Sequence, residues 1–175
     1  MKLIFSLLWL LSVFGVNCAA QSACDAQLRN AAPMLLNLKL GMSPAQAQSV
    51  FGRDLKIKNK RKGEYTFFQN FIERKAPHSL ANIRALYLRF FDGRLYQIEI
   101  FYEEKSQWQT LEAFTAMLSS QWNFPANLWI TEKSKARVDC GEFTLVADNV
   151  LNPRIEITNE SDRAQAEDRR KGKND

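Results

Sequence analysis

The chain has 175 residues, of which 46% are hydrophobic, so it has the size and apolar content of one domain with its own core. Its 24 lysines and arginines and 19 acidic residues give a formal net charge of +5, which makes the protein mildly basic rather than polycationic. Neither Cys-x-x-Cys nor His-x-x-x-His spacing occurs, and this excludes a conventional zinc site.

The N-terminus has the pattern of a cleavable secretory signal. The charged start Met1-Lys2 precedes an almost uninterrupted apolar run over residues 3–16, and the small residues 18–20 end the segment. Cleavage is expected after Ala20. The expected location of the mature protein is therefore secreted or periplasmic, and no later apolar stretch is long enough to cross a bilayer.

Two alternatives to cleavage after Ala20 remain open. A signal anchor needs roughly 17 to 25 apolar residues to span the hydrocarbon, and this apolar core is shorter. Acylation of Cys18 would make a lipoprotein, although Gly15 and Asn17 occupy the places where such sites favour Leu and a small residue. Soluble export is the interpretation that these flanking residues favour.

Loss of Cys18 with the signal leaves Cys24 and Cys140 as the remaining cysteines. An even number of thiols in an oxidising compartment predicts one disulfide between them. Two buried free thiols are the alternative. Catalysis by either thiol is disfavoured because a thiolate needs an activating base, and the one histidine, His78, has the neighbours of a loop residue.

The first half of the domain is predicted to begin with a strand and a short helix. Residues 36–40 alternate apolar and polar side chains, as a half-buried strand does. After them, Ser43 and Gln46 form a capping box with Pro44 at the first helical position, and Gly52 ends the helix.

A basic stripe follows this helix and consists of Lys56, Lys58, Lys60, Arg61 and Lys62. On an extended strand the first three lysines project to one side, with the last two cations at the tip. One interpretation is an edge strand that lysines protect from aggregation. The other is a docking surface for an anionic partner such as lipid headgroups, an acidic polysaccharide or an acidic protein, so peripheral membrane contact remains open. Nucleic acid is not an expected partner of an exported domain.

Residues 86–100 predict a β-hairpin with Asp92-Gly93 at its turn. A three-residue loop over residues 91–93, with a bulge at the glycine, would pair Leu88 with Tyr96. This register puts Tyr96 on the apolar face and the intervening polar side chains on the opposite face.

The second half repeats the order of a helix followed by strands. Ser106 and Gln109 predict a capping box for a longer helix, which stops at Asn123-Phe124-Pro125. Its predicted apolar face consists of Trp108, Leu111, Phe114, Met117, Leu118 and Trp122.

A second hairpin is predicted with Gly141-Glu142 as a two-residue turn. This turn pairs Cys140 with Phe143 and directs Cys140 toward the apolar side of the sheet. A disulfide to Cys24 would then clamp the start of the mature domain onto this hairpin.

No motif in the sequence indicates a particular reaction. The carboxylates Glu103, Glu104, Asp139 and Glu142 can be nominated as catalytic pairs, but any chain with this many acidic residues offers such pairs. No Gly-x-Ser-x-Gly elbow and no phosphate-binding glycine loop occurs. We therefore expect no catalytic residue, no cofactor and no metal ligand.

The segment from Leu40 to Gln46, with its Gly41-Met42-Ser43 helix start and with Gly52 after the helix, resembles the small exported modules of the SmpA/OmlA and β-lactamase-inhibitor-like group. The resemblance implies short helices packed on an antiparallel sheet. It also implies a non-catalytic domain that contacts other proteins at the envelope, either in outer-membrane assembly or as an inhibitor.

The expected fold class is α+β: an antiparallel sheet with two main helices packed on one face, arranged as two related helix-then-sheet halves. The expected divisions are a signal peptide (1–20), a single domain (21–159) and a disordered charged tail (160–175), which lacks large apolar residues. The expected function is an exported, non-catalytic binding or envelope-assembly module that contacts a protein or an anionic envelope component. The alternative is an exported hydrolase acting on a polysaccharide or a peptide.

Overall fold

The protein is described from a computed structural model, which describes residue 24 and residues 32–51, 58–61, 64–70, 82–103, 108–123, 125–150 and 152–172. The predicted signal peptide and His78 lie outside these residues. The helices whose full extent lies within these ranges are α1 (Pro44–Phe51), α2 (Leu111–Trp122) and α3 (Glu160–Lys171), with a 3-10 turn at Ala126–Leu128. The strands are β1 (Lys58–Arg61), β2 (Glu64–Asn70), β3 (Ile83–Phe91), β4 (Arg94–Tyr102), β5 (Ile130–Glu132), β6 (Lys135–Asp139), β7 (Phe143–Asp148) and β8 (Arg154–Asn159).

The described strands form one antiparallel eight-stranded sheet in the order β1-β2-β3-β4-β8-β7-β6-β5. Strands β1 to β4 form one meander, and strands β5 to β8 form a second. Each meander follows a helix, and the last strands of the two meanders, β4 and β8, pair at the centre of the sheet. The two halves thus have the same order of elements, as the sequence predicts.

The main hydrophobic core lies between one face of the sheet and helices α1 and α2. Leu111, Phe114 and Leu118 of α2 are buried in it, because their three- and four-residue spacing places them on one side of the helix. Ala47 is the buried residue of α1. The predicted α+β class, with two main helices on one face of an antiparallel sheet, is confirmed.

The predicted start of α1 is confirmed, whereas that of α2 is wrong. In α1, the Ser43 amide donates to Gln46 Oε1 at 2.8 Å, and the Gln46 amide donates to Ser43 Oγ at 3.2 Å. Helix α2 instead begins at Leu111, where Thr110 Oγ1 accepts a hydrogen bond from the Ala113 amide at 3.1 Å. A single capping threonine is a weaker sequence signal than a capping box. The Ser106–Gln109 pattern therefore predicts a start four residues before the true cap at Thr110.

The predicted strand over residues 36–40 is wrong, because this segment turns back on itself. Leu35 and Leu38 bridge each other through two backbone hydrogen bonds of 3.0 and 2.8 Å. Leu36 and Asn37 between them have φ values of 54° and 63°. A leucine rarely adopts positive φ, so local pattern does not indicate this turn. The turn is kept because both bridging leucines are buried in the core.

The β3–β4 hairpin has a shorter turn than predicted. Asp92 and Gly93 form a two-residue turn, with φ values of 45° and 74°. The register then shifts between Arg89 and Phe90, so the bulge lies at Tyr96, inside strand β4. Tyr96 consequently belongs to a separate cluster with Phe91 and Ala166 rather than to the main core.

The second hairpin and the disulfide follow the prediction. The Cys140 amide donates to the Phe143 carbonyl at 3.0 Å, and Gly141 has a φ of 77°, which a two-residue turn of this kind requires at its first position. Cys24 is bonded to Cys140, with their Cα atoms 5.4 Å apart. Both cysteines pack against the main core, and the disulfide ties the beginning of the domain to this hairpin.

The prediction of a disordered tail from residue 160 is corrected by the structure, since residues 160–171 form α3. Asn159 Oδ1 caps the helix by accepting from the Asp162 amide at 2.9 Å. Acidic residues in the first turn and basic residues in the last turn complement the helix dipole. Charge and capping, rather than large apolar side chains, hold this helix on the sheet. No helix in the described ranges is long and apolar enough to span a membrane.

Candidate functional site: the polar face of the sheet

The second face of the sheet carries polar and aromatic side chains instead of a closed apolar core. Strand alternation produces this difference: on β4 and β8 the isoleucines point to the main core, and the residues between them point to the other side. This polar face is defined by Tyr87, Arg89, Gln97, Glu99, Phe101, Thr144, Val146, Asp148, Arg154, Glu156 and Thr158. Among the described elements, α3 packs over one end of it.

Arg154 is the centre of a charge network on the polar face. Its Nη1 lies 2.6 Å from Glu99 Oε1, and its Nη2 lies 2.8 Å from Asp148 Oδ2. Its guanidinium carbon also lies 5.8 Å from the centre of the Phe101 ring. Burial lowers the pKa of Arg154, but Asp148, Glu99 and Glu156 outweigh burial and raise the pKa above its ordinary value.

Two buried polar atoms of this face have no hydrogen-bond partner within the described part of the chain. They are Gln97 Oε1, an acceptor, and Arg154 Nε, a donor. Gln97 as a whole is only 5% exposed. The backbone of Arg154 is paired with Phe101, four residues or about 13 Å along β4 from Gln97, and its side chain reaches back to Glu99, two residues from Gln97. An unsatisfied buried polar atom is destabilising, so these two atoms are unfavourable positions within the polar face.

One end of the polar face is covered by α3. Phe91 and Tyr96 of the β3–β4 hairpin pack with Ala166 of the helix in the second, small cluster. Arg169 makes a bidentate pair with Asp92 at 2.6 and 2.8 Å, and its guanidinium carbon lies 4.3 Å from the centre of the Phe91 ring.

Arg169 changes the titration of Asp92. Its hydrogen bond to the Asp92 carboxylate holds the pKa of Asp92 below the ordinary value of 3.8. Since the pKa is depressed in the folded state, this contact contributes above the ordinary pKa and is lost as pH falls through the lowered pKa.

We predict that Arg169→Gln raises the pKa of Asp92 toward 3.8, because the charge-assisted hydrogen bond is removed. Carboxyl carbon NMR over an acid titration measures this value. Arg163→Gln is the matched control, since Arg163 pairs with Glu160 on the same helix and not with Asp92. An identical Asp92 titration in wild type and Arg169→Gln would contradict the assignment.

The predicted basic stripe is only partly described. Lys58, Lys60 and Arg61 lie in β1, an edge strand, while Lys56 and Lys62 lie outside the described residues. The register shifts between Lys58 and Lys60, which breaks the strict alternation on which the stripe prediction depends. Strand β1 lies three strands from β4, or about 14 Å across the sheet, so the stripe is separate from the centre of the polar face. Its binding role stays a prediction.

Of the nominated carboxylates, Glu103 lies apart from Asp139 and Glu142. Glu103 follows β4 beside the start of β8, whereas Asp139 and Glu142 flank the β6–β7 turn at the other end of β8. Glu104 lies outside the described residues. In the residues that the structure describes, no group of three or more histidine, cysteine or acidic side chains is placed to hold a metal ion.

The sequence predicts one part of the polar face and has no signal for the rest. The alternation of β3 and β4 predicts that Arg89, Gln97 and Glu99 share a face, and their cross-strand register confirms it. Arg154 and Asp148 were missed, because nothing in the local sequence relates β7 and β8 to β4. The α3 end has no sequence signal, because a charged segment without large apolar residues has the composition of a disordered tail.

The chain matches no protein-family model, and no curated protein or solved structure shows detectable similarity to it. The resemblance at Gly41-Met42-Ser43 therefore remains a prediction.

Proposed function

We propose that this protein is an exported, non-catalytic binding domain that contacts a protein partner through the polar face, in the manner of an envelope-assembly module. The observation that carries the proposal is the pair of buried, unpartnered atoms, Gln97 Oε1 and Arg154 Nε, on a face that also carries aromatic and charged side chains. Protein interfaces combine aromatic anchors, arginines and hydrogen bonds in this way.

A protein surface suits this face better than a small molecule does. The polar face extends over about 13 Å of β4, from Gln97 to Phe101, so a ligand that covers it has to bring donors and acceptors over that span. Tyr87, Phe101 and Val146 are half-buried on the same face and offer apolar contact between them. A polypeptide supplies all three kinds of group at this spacing.

Export is the second part of the proposal. The Cys24–Cys140 disulfide supports it, because such bonds persist in oxidising compartments and are rare in the cytosol. The signal-like sequence of residues 1–20 points the same way. An anionic envelope component is the second candidate partner, favoured by the position of the basic stripe at an edge strand.

The test is quantitative capture from envelope extracts with matched variants of the full chain. Arg89→Glu with Glu156→Lys inverts two charges of the polar face without changing the net charge. We expect it to weaken capture of the wild-type partner about tenfold, equivalent to about 1.4 kcal/mol. Lys39→Glu with Glu112→Lys is the control, since both residues are exposed and lie off this face.

Two outcomes of this capture experiment separate the candidates. If both double variants capture the partner equally well, the polar face is not the binding surface. Loss of capture with Lys58→Glu and Lys60→Glu, together with a strong dependence on salt, would instead assign binding to the basic stripe and an anionic partner.

A further inference from the structure

Helix α3 lies on the sheet with very little apolar contact. Of its side chains only Asp162 and Ala166 are buried. Its polar contacts include Arg94 to Asp162 at 2.8 Å, the Arg169 pair with Asp92 and Arg170 Nη2 with Tyr96 Oη at 3.5 Å. At its first residue Glu160 accepts a hydrogen bond from Thr144, and near its end the Arg169 guanidinium lies over the Phe91 ring. The helix therefore covers two large aromatic side chains with one methyl group and a set of charges.

The contacts of α3 are of a kind that breaks before the rest of the fold unfolds. An isolated helix of 12 residues is marginal in water, so α3 depends on the sheet for its order. The Arg169–Asp92 pair is 37% and 48% exposed, and Arg94 is 56% exposed although its partner Asp162 is only 10% exposed. Charges that are this exposed contribute little to stability and are screened by salt. A segment with few buried apolar contacts belongs to the low-stability end of a structure.

One polar atom beside the surface that α3 covers has no hydrogen-bond partner. Gln97 pairs with Thr158 in the sheet, and α3 begins two residues after Thr158, so Gln97 borders the helix. Gln97 Oε1 is nevertheless buried without a partner. The fit of α3 to this surface is thus incomplete at the point where the surface joins the rest of the polar face.

We infer that the surface formed by Phe91, Asp92, Arg94 and Tyr96 is a helix-docking site, which α3 occupies in cis and yields to a partner helix. This inference rests on the proposed binding function and names the partner's chemistry. The partner is a helix with a carboxylate for Arg94 and, seven residues later, an arginine for Asp92 and Phe91. Asp162 and Arg169 of α3 have this spacing, which is two helical turns and places both on one side.

A partner helix binds better than α3 if it also donates a hydrogen bond to Gln97 Oε1. Intramolecular attachment gives α3 a high effective concentration, and this keeps the site closed until such a partner is present. The charges that position α3 select the same pattern in the partner.

The first test is hydrogen exchange in the full-length protein. We expect the amides of residues 163–171 to exchange at least about a hundredfold faster than those of Ile155 and Ile157 in β8, and faster still at 0.5 M salt. Equal protection of α3 and β8 at both salt concentrations would overturn the inference, because α3 would then be a permanent part of the fold.

The second test uses a synthetic helix as the partner. The probe is a peptide with the sequence of residues 159–172, stapled between the exposed positions 164 and 168 to lower its ordering cost. The acceptor is Ala166→Glu, which displaces the protein's own α3 and leaves the docking surface intact. We expect the probe to bind this variant at least about tenfold more tightly than it binds wild type.

A peptide with Asp162 and Arg169 exchanged is the control, and we expect it not to bind. Chemical shifts of the Phe91 and Tyr96 amides locate the bound probe. If Ala166→Glu does not fold, Arg169→Glu replaces it, since this change sets a carboxylate against Asp92. Absence of probe binding to a folded variant with a released α3 would overturn the inference.

The two proposals fail separately. Loss of capture in Arg89→Glu with Glu156→Lys tests the polar face whether or not α3 moves. If the probe binds but no partner is captured from any extract, the proposed function is contradicted while the helix-docking site is supported.

Discussion

Replacement of both Cys24 and Cys140 by alanine is expected to lower the free energy of unfolding by about 2–5 kcal/mol. The disulfide joins residues separated by 116 positions, so its removal releases a long loop in the unfolded chain. It also detaches the first described residue of the domain from the β6–β7 hairpin.

Urea unfolding followed by tryptophan fluorescence measures this effect, since Trp108 and Trp122 pack against the main core. Reductant should lower the wild-type midpoint and leave that of the double variant unchanged. Thiol titration of the unfolded wild-type protein should detect neither Cys24 nor Cys140 before reduction. Equal midpoints with and without the disulfide would show that it does not stabilise the fold.

Arg154→Met is expected to lower the free energy of unfolding by about 3 kcal/mol. Glu99 and Asp148, whose side chains are only 9% and 14% exposed, lose their shared counterion in this variant. Arg154 is itself 22% exposed, which puts the expected loss at the lower end for buried pairs. Most of the effect is the cost of leaving two carboxylates buried without a cation.

Arg137→Met is the matched control, because Arg137 pairs with Asp139 at the surface, where the two side chains are 54% and 55% exposed. We expect less than about 1 kcal/mol from that change. Adding Glu99→Gln and Asp148→Asn to Arg154→Met should recover part of the lost stability. If Arg154→Met and Arg137→Met have the same midpoint in urea, the network on the polar face is not a buried one.

The candidate site could be predicted only where it coincides with one hairpin. Alternation along β3 and β4 identifies Arg89, Gln97 and Glu99 as neighbours on the non-core face. The other half of the network comes from β7 and β8, which reach β4 only because the last strand of the second meander pairs with the last strand of the first. Arg154 and Glu99 are 55 positions apart, and no local signal relates them.

The sequence predicts the local features whose signals lie between near neighbours, namely the Ser43–Gln46 cap, the apolar side of α2 and the Gly141-Glu142 turn. The pairing of Cys24 with Cys140 was also predictable, because the expected loss of Cys18 leaves two cysteines and one possible bond. Two features have no such local signal: the bulge at Tyr96, and the formation of a helix by residues 160–171. Helix α3 depends on its contacts with Asp92 and Arg94, which lie 77 and 68 positions before their partners in the chain and meet them only when the sheet forms.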